Sequence, residues 1–309
     1  MGGQVYIRIL GSGAGGGFPQ WNCNCVHCRA VRAGSPHFLP RTQSSLAVSA
    51  NGVDWLLLNA SPDLRQQIAA TPELDPPTDG PARISPIRAV ALTNADVDHI
   101  AGLLTLREQQ PFEIHAAPRV LETLAANRIF DILSPEIVAR RPLAMDAVTE
   151  LPALGLALEA FVVPGKIALY LEDANAKNFG SQAGDTLGLR IIETATGRAF
   201  FYIPGCAQID AGLAQRLAGA ELVLFDGTLW SENEMLEQGL MRKTGSRMGH
   251  MNMSGESGTI AAFKPLDVAR KVFVHINNSN PVLDARSKER AAAEAAGWTI
   301  GEDGMRFEL

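Results

Sequence analysis

Three apolar stretches of this chain, each reading as a buried strand, run straight into polar groups able to hold a metal ion. Arg88–Leu92 leads into Thr93-Asn94-Ala95-Asp96-Val97-Asp98-His99, Glu221–Phe225 ends at Asp226, and Lys271–Ile276 carries His275 near its end. Folds that alternate strands with helices place their ligands just beyond the carboxyl ends of strands. The pattern therefore predicts one shared rim where Asp98, His99, Asp226 and His275 meet. The residues alone leave a plainer reading open at the first loop, since Asp96 or Asp98 could simply cap the following helix.

The rest of the chain suits such a fold. Val5–Leu10 alternates as a strand into a glycine-rich loop. Ser45–Ala50 and Val53–Leu58 flank Asn51-Gly52, which predicts a two-residue hairpin turn. Ser61-Pro62-Asp63 reads as an N-cap, a first-turn proline and an acidic first turn. Helices are expected over His99–Glu108, Pro118–Leu133, Ile209–Ala218, Ser254–Phe263 and Ser287–Ala296, with further strands at Leu187–Glu193 and Ala199–Ile203. Strands followed by helices recur in both halves, and no Pro/Ser/Gly linker divides them. The expectation is one α/β layered domain with mixed sheets.

Composition narrows the function. Among 309 residues, 27 Lys and Arg stand against 33 Asp and Glu, a net charge of −6. An acidic chain lacks the basic surface that nucleic-acid binding needs. With 46% hydrophobic and 19% charged residues the chain is not disordered. The most apolar stretch, Leu151–Val163, is broken by Pro152 and Glu159 and is too short to cross a bilayer. No basic leader precedes an apolar stretch, and Met1–Tyr6 lacks the Ser or Thr at position six that myristoylation favours. These features predict a cytoplasmic protein without membrane insertion.

Gly11-Ser12-Gly13-Ala14-Gly15-Gly16 matches a dinucleotide fingerprint only formally. No amphipathic helix follows, and Arg29 and Arg32 occupy the region where an acidic residue would bind ribose. The glycines instead suit a backbone loop passing close to a site. Cys23-Asn24-Cys25-Val26-His27-Cys28 is more specific: a C-x-C-x-x-C turn delivers three of the four ligands of a tetrahedral zinc. His27 is a weak fourth ligand because adjacent residues seldom face one ion; His37 and His115 read as surface or core histidines, and Cys206 as a buried thiol. Gly249-His250 supplies another imidazole before a helix. Arg41 suits a substrate carboxylate or a purely structural role equally well.

Together these residues resemble the metallo-β-lactamase superfamily, whose motif T-H-x-H-x-D-H-x-x-G is matched here at Thr93, Asp98, His99 and Gly102. Asp226 resembles its bridging aspartate, His275 its last histidine, and Gly249-His250 the Gly-His of the RNase Z-like branch. The glycine-rich opening and C-x-C-x-x-C are similar to phosphonate-pathway phosphodiesterases, which carry a structural Cys3His zinc; their histidine position falls here on Asn278. A narrower resemblance spans nearly the whole chain. Residues 17–25, Arg41-Thr42-Gln43-Ser44-Ser45, Asn59-Ala60-Ser61-Pro62-Asp63, Asp226-Gly227-Thr228-Leu229-Trp230, Met248-Gly249-His250 and His275-Ile276-Asn277-Asn278 are similar to the pyrroloquinoline quinone (PQQ) biosynthesis protein B family. That resemblance implies an αββα sandwich of two mixed sheets, filling residues 1–309 as a single domain. It also implies a part in making PQQ from a Glu–Tyr precursor, by iron-dependent hydroxylation of the tyrosine ring, or else in carrying cofactor or precursor towards the periplasm. Other PQQ-pathway proteins are then natural partners.

The departures from the superfamily motif carry chemical meaning. Asn94 and Asp96 replace the first two histidines, and Val162-Val163-Pro164-Gly165 holds no third. The first metal position of a dinuclear hydrolase is therefore degraded, while Asp98, His99, Asp226 and His275 retain the second. Two imidazoles with one or two carboxylates suit a ferrous ion, and zinc or another divalent metal would bind there as well. The expected scheme has Asp98, His99 and His275 on the metal with Asp226 as fourth ligand or support. His250 would exchange protons or anchor substrate, and Asn94 and Asp96 would orient the site. Cys23, Cys25 and Cys28, with Asn278, would hold the structural zinc. Hydrolysis, the superfamily's usual reaction, remains the alternative.

Overall fold

The computed structural model describes residues 4–309; the myristoylation reading on Met1–Gly3 lies outside the described residues. Among the described residues, fourteen strands form two sheets of seven. In chain order they are β1 (Tyr6–Gly11), β2 (Ser45–Ser49), β3 (Trp55–Leu58), β4 (Ile87–Ala91), β5 (Phe112–Ala116), β6 (Val138–Pro142) and β7 (Val148–Leu151). The second half adds β8 (Leu156–Val162), β9 (Leu187–Glu193), β10 (Ala199–Ile203), β11 (Leu222–Asp226), β12 (Arg270–Val274), β13 (Trp298–Ile300) and β14 (Arg306–Glu308). One sheet runs β14-β1-β2-β3-β4-β5-β6, the other β13-β12-β11-β10-β9-β8-β7. Each is mixed in the same way. Antiparallel pairs join β14, β1, β2 and β3, then β3 to β6 are parallel; antiparallel pairs join β7 to β10, then β10 to β13 are parallel.

Alternation along the strands builds the layers. Leu222 and Leu224 of β11 join Ile7, Leu46, Leu56 and Val90 of the first sheet in one buried cluster. Val223 and Phe225, one residue out of step, pack outward with Phe263, Leu213 and Leu217 from helices. The result is the αββα sandwich of the metallo-β-lactamase fold. Its parallel halves both discharge their carboxyl ends towards the cavity described below. Among the described residues no helix is long and apolar enough to cross a membrane.

Several local expectations are corrected. The hairpin between β2 and β3 is closed by the longer loop 50–54, because Asn51 Oδ1 accepts from the amides of both Val53 and Asp54 at 2.9 Å. Ser61 does not cap the next helix: that helix is Leu64–Ala69, and Ser61 Oγ instead serves Asp63 N and Gln67. The 118–133 stretch breaks at Asn127, whose extended backbone separates the helix Pro118–Ala126 from a 3-10 turn. The helix expected over His99–Glu108 is instead the short helix Val97–Ile100 followed by a 3-10 segment over Ala101–Leu106. The helix expected from Ser254 starts only at Thr259. Of the two roles left open for Arg41, the contacts support the structural one: its buried guanidinium donates to Ser12 Oγ and Gly301 O and lies 3.6 Å from Glu302.

Candidate metal centre

The loop after β4 is locked from below. Asn59, in left-handed backbone at φ 63°, accepts from Thr93 N through its side chain at 2.9 Å. The helix Val97–Ile100 is tied to the same strand end, with Ala60 N donating to His99 O at 2.7 Å and Gly102 N to Ala60 O at 2.9 Å. Asp98 and His99 are thereby presented on a short, fixed turn. His99 Nδ1–H donates to Asn94 Oδ1 at 2.7 Å, and Asn94 is itself held by Asp96 through its amide and carbonyl. The other ring nitrogen, Nε2, is buried and has no hydrogen-bond partner. A neutral imidazole fixed this way offers Nε2 as a lone pair, the arrangement that protein metal sites use. Burial lowers the pKa of His99 and keeps it neutral.

His275 follows β12 in left-handed backbone at φ 57°, which turns its ring away from the strand direction. Its Nε2 lies 3.1 Å from Asp98 Oδ2, and its Nδ1–H donates to Thr228 Oγ at 2.8 Å. Burial disfavours the charged form of His275, but the hydrogen bond and charge of Asp98, with Asp226 and Asp96, outweigh it and raise its pKa. Burial likewise opposes ionisation of Asp98, yet His99 and His275 hold its carboxyl well below the usual range. The space between these groups favours a positive charge.

Asp226 is fully buried at the end of β11. One carboxylate oxygen accepts from Thr228 N and Thr228 Oγ–H, at 3.0 and 2.6 Å; the other takes Cys206 N at 3.0 Å and His250 Nδ1–H at 2.8 Å. Burial would raise its pKa, but His250, His275 and Thr228 keep it lowered. His250 stacks on His275 with ring centroids 5.1 Å apart. It is placed by the helix Gly245–Met248, which ends on Gly249 at φ 85°.

Two sets of donor atoms thus close around His275: Asp98, His99 and His275 in one, Asp226, His250 and His275 in the other, each set within 4.8 Å. The orphaned His99 Nε2 and this donor chemistry fit a divalent cation. A cavity of about 420 Å³ opens over them, lined by Asn94, Asp96, Asp98, His99, His250 and His275. The glycine-rich loop forms part of its wall: a Cβ on Gly15 would stand 3.3 Å from Asp98 Oδ2. Backbone bonds zip that loop to the His275 segment, with Ile276 N donating to Ser12 O and Ala14 N to Ile276 O, both at 2.9 Å.

The thiols of Cys23, Cys25 and Cys28 form a third cluster at the edge of the same cavity, which Cys23 and Asn278 help to line. Cys25 caps the helix Val26–Arg32, and the Cys25 and Cys28 amides donate to Cys23 Sγ and Cys25 Sγ, both at 3.4 Å. Burial opposes ionisation of Cys23, but these donors bring its pKa down, whereas burial pushes Cys25 up to about 12. Asn278 Nδ2 reaches Cys28 Sγ at 3.3 Å, while His27 Nδ1 is engaged by Asn278 O at 3.1 Å. None of the three is in a disulfide. The structure brings Asp98, His99, Asp226, His250 and His275 to one place and Asn278 to the thiols. His115 pairs with Glu113 on β5, away from both clusters, and Cys206 is buried with its thiol on Gln208 O. Sequence reasoning missed Thr228, whose hydroxyl touches Asp226, His250 and His275 together. It also missed Lys166 and Lys243, which line the cavity. Thr228 had one signal, its place two residues after Asp226.

Comparison with known proteins agrees with this fold. Residues 54–276 match the beta-lactamase superfamily domain. The chain is 52% identical over 301 residues to coenzyme PQQ synthesis protein B of Methylobacterium sp. strain 4-46, covering 97% of this chain and 99% of that protein. It superimposes on the crystal structure of Zn2+-bound PqqB from Methylobacterium extorquens with a TM-score of 0.93 and 49% identity, covering 98% of this chain and 100% of that one. A diphosphatase of the PhnP family shares the fold, with a TM-score of 0.70 at 18% identity over 99% of this chain and 97% of that one.

Proposed function

The chain belongs to the coenzyme PQQ synthesis protein B family within the beta-lactamase superfamily, and from that premise we propose that it is a metal-dependent enzyme of PQQ biosynthesis that hydroxylates the tyrosine ring of a Glu–Tyr precursor. The observation that carries this reading is the state of Asn94 and Asp96. They stand where a first metal would need two histidines, and they are spent on each other and on His99 Nδ1. A two-metal clamp on a bridging hydroxide therefore lacks its ligands, whereas the Asp98–His99–His275 set is complete. That set would hold one cation and leave positions open. A ferrous ion there would supply the redox chemistry for activating oxygen.

The remaining roles fall to residues of the chain. Asn94 fixes the tautomer of His99, and Thr228 does the same for His275, so that both Nε2 atoms turn to the metal. Asp226, with every acceptor position occupied, supports His275 through Thr228 and orients His250. With Nδ1–H on Asp226, His250 has Nε2 left to take or return a proton at the substrate. Cys23, Cys25, Cys28 and Asn278 would carry a structural zinc that pins the cavity wall. We assign residues 1–309 to one domain, acting in the cytoplasm beside other proteins of the pathway.

Anaerobic loading with Fe(II), followed by oxygen uptake in the presence of a Glu–Tyr peptide and an added two-electron reductant, tests the reading, since one oxygen atom would enter the ring and the other would leave as water. Uptake with ring hydroxylation, absent in His275→Ala, is expected. Tight peptide binding without oxygen uptake would make the protein a carrier; two metals per cavity with phosphodiester turnover would make it a hydrolase.

A further inference from the structure

A cationic group of side chains borders the cavity, and nothing in the metal chemistry uses it. Lys166 follows β8, Lys243 precedes the helix Gly245–Met248, and Arg247 lies on that helix. All three converge on the carboxylate of Glu172, whose side chain is 11% exposed. Within this group three positive charges face one carboxylate, on a chain whose overall charge is −6.

The three cations are not equivalent. Arg247 grips both oxygens of Glu172, at 2.8 and 3.2 Å, and its guanidinium lies 3.5 Å over the ring of Phe179. Its capacity is used. The ammonium groups of Lys166 and Lys243 stand 3.6 and 3.5 Å from Glu172, beyond an ordinary N–H···O bond, so they feel its charge without spending their donors on it. The one further contact of Lys166 is a long one, 3.4 Å to Ile167 O. These two are the side chains of fixed positive charge among the residues lining the metal-bearing cavity.

Their placement is built into the backbone. A Cβ on Gly165 would meet Thr186 Oγ1 at 2.4 Å, and Thr186 Oγ–H donates to Lys166 O at 3.1 Å, so the chain is pressed onto β9 where Lys166 emerges. The Lys166 stem then packs on Gly249, where a Cβ would come within 2.9 Å of its Cγ. Gly249 precedes His250, and Lys166 and His250 both line the cavity. An unspent pair of ammonium groups, held around one carboxylate of the chain's own, suits further carboxylate oxygens.

We infer that Lys166 and Lys243 form the specificity site for a small polycarboxylate, with Glu172 as the counter-charge that keeps the pair in place between substrates. For the precursor class this deepens the hydroxylase reading and rests on it: the amino-acid carboxylates dock on the lysines while the aromatic ring faces the metal. The inference about anions can be tested apart from that reading.

Calorimetric titration of the zinc-loaded full chain with PQQ, a tricarboxylate, and with its uncharged trimethyl ester is the experiment, with citrate as a probe foreign to the pathway. Wild type should bind PQQ well above its ester. Lys166→Gln and Lys243→Gln should each weaken PQQ roughly tenfold, as loss of a hydrogen bond to a charged group does. Neither should change ester binding or metal content. Glu172→Gln, which removes no lysine, should tighten PQQ several-fold. Lysine-dependent binding of citrate but not of PQQ would uphold the anion site and sink the pathway reading. Equal affinity for PQQ and its ester, or for PQQ in wild type and the double lysine variant, would overturn the inference, as would binding of neither acid.

Discussion

A single hydroxyl does much of the positioning at this site. Thr228 Oγ donates to Asp226 and accepts from His275, so one rotamer fixes a carboxylate and an imidazole together. Glu234 shows the opposite case, a buried acid one layer behind the cavity. It is 3% exposed, shares a hydrogen bond with Ser279, and accepts from Trp230 N at 2.7 Å. Burial outweighs those bonds and raises its pKa to about 7. Its folded value thus lies above its ordinary value of 4.5, and the folded state keeps a proton that the unfolded chain has released. Stability from this group is therefore full below about pH 4.5 and falls as pH rises towards about 7, with a slope of up to about 1.4 kcal/mol per unit. Urea denaturation of wild type and Glu234→Gln from pH 4 to 8 should show that slope in the difference between them; parallel curves would refute it.

At the level of elements, the turn that carries Asp98 and His99 depends on a close approach of two backbones. Gly102 lies where a Cβ would stand 2.0 Å from Ser61 O and 2.8 Å from the Ala60 carbonyl. Both neighbours are main chain, held by the bonds from Ala60 N to His99 O and from Gly102 N to Ala60 O. Neither can yield as a flexible side chain would. Gly102→Ala should push the helix Val97–Ile100 outward, cost about 3 kcal/mol, and weaken metal binding by displacing His99. Denaturation midpoints with metal analysis on the same samples would show both effects, and loss of stability with full metal content would argue against this coupling. The spacing of the motif thus has a packing cause as well as a chemical one, since the final glycine is what lets the histidine-bearing turn seat on the strand end.

For the whole molecule, the thiol cluster and the cavity share one wall, with Cys23 and Asn278 among the residues that line the cavity. The turn 277–280 bonds to Cys28 through Asn278 and to Thr228 through Asn277 N, which donates to Thr228 O at 3.0 Å. Cys28→Ser should remove one equivalent of tightly held metal and lower the thermal midpoint by roughly 5 °C or more. The cavity metal should persist, because none of its ligands comes from the cysteine segment. Elemental analysis beside a thermal melt separates the two; loss of both metals would mean that the wall, not the ligand set, holds the cavity together.

Much of this architecture was legible from residues alone. Strand-to-ligand junctions at 92–99, 225–226 and 274–275 are local patterns, and so is the C-x-C-x-x-C turn, because period-two burial and ligand spacing are written in consecutive residues. The breaks at Asn127 and Ser61 were not, since each turns on which of several nearby partners a short polar side chain selects. Nor could Lys166 and Lys243 be told from surface lysines: 77 residues separate them in sequence, and only the packing of two loops on Glu172 gives them a common purpose. What the chain declares by itself is which strands end in chemistry. Which atoms meet, and with what charge left over, is decided by long-range backbone contacts such as Gly15 against Asp98 and Gly165 against Thr186. Those contacts depend on distances between segments that no local pattern encodes.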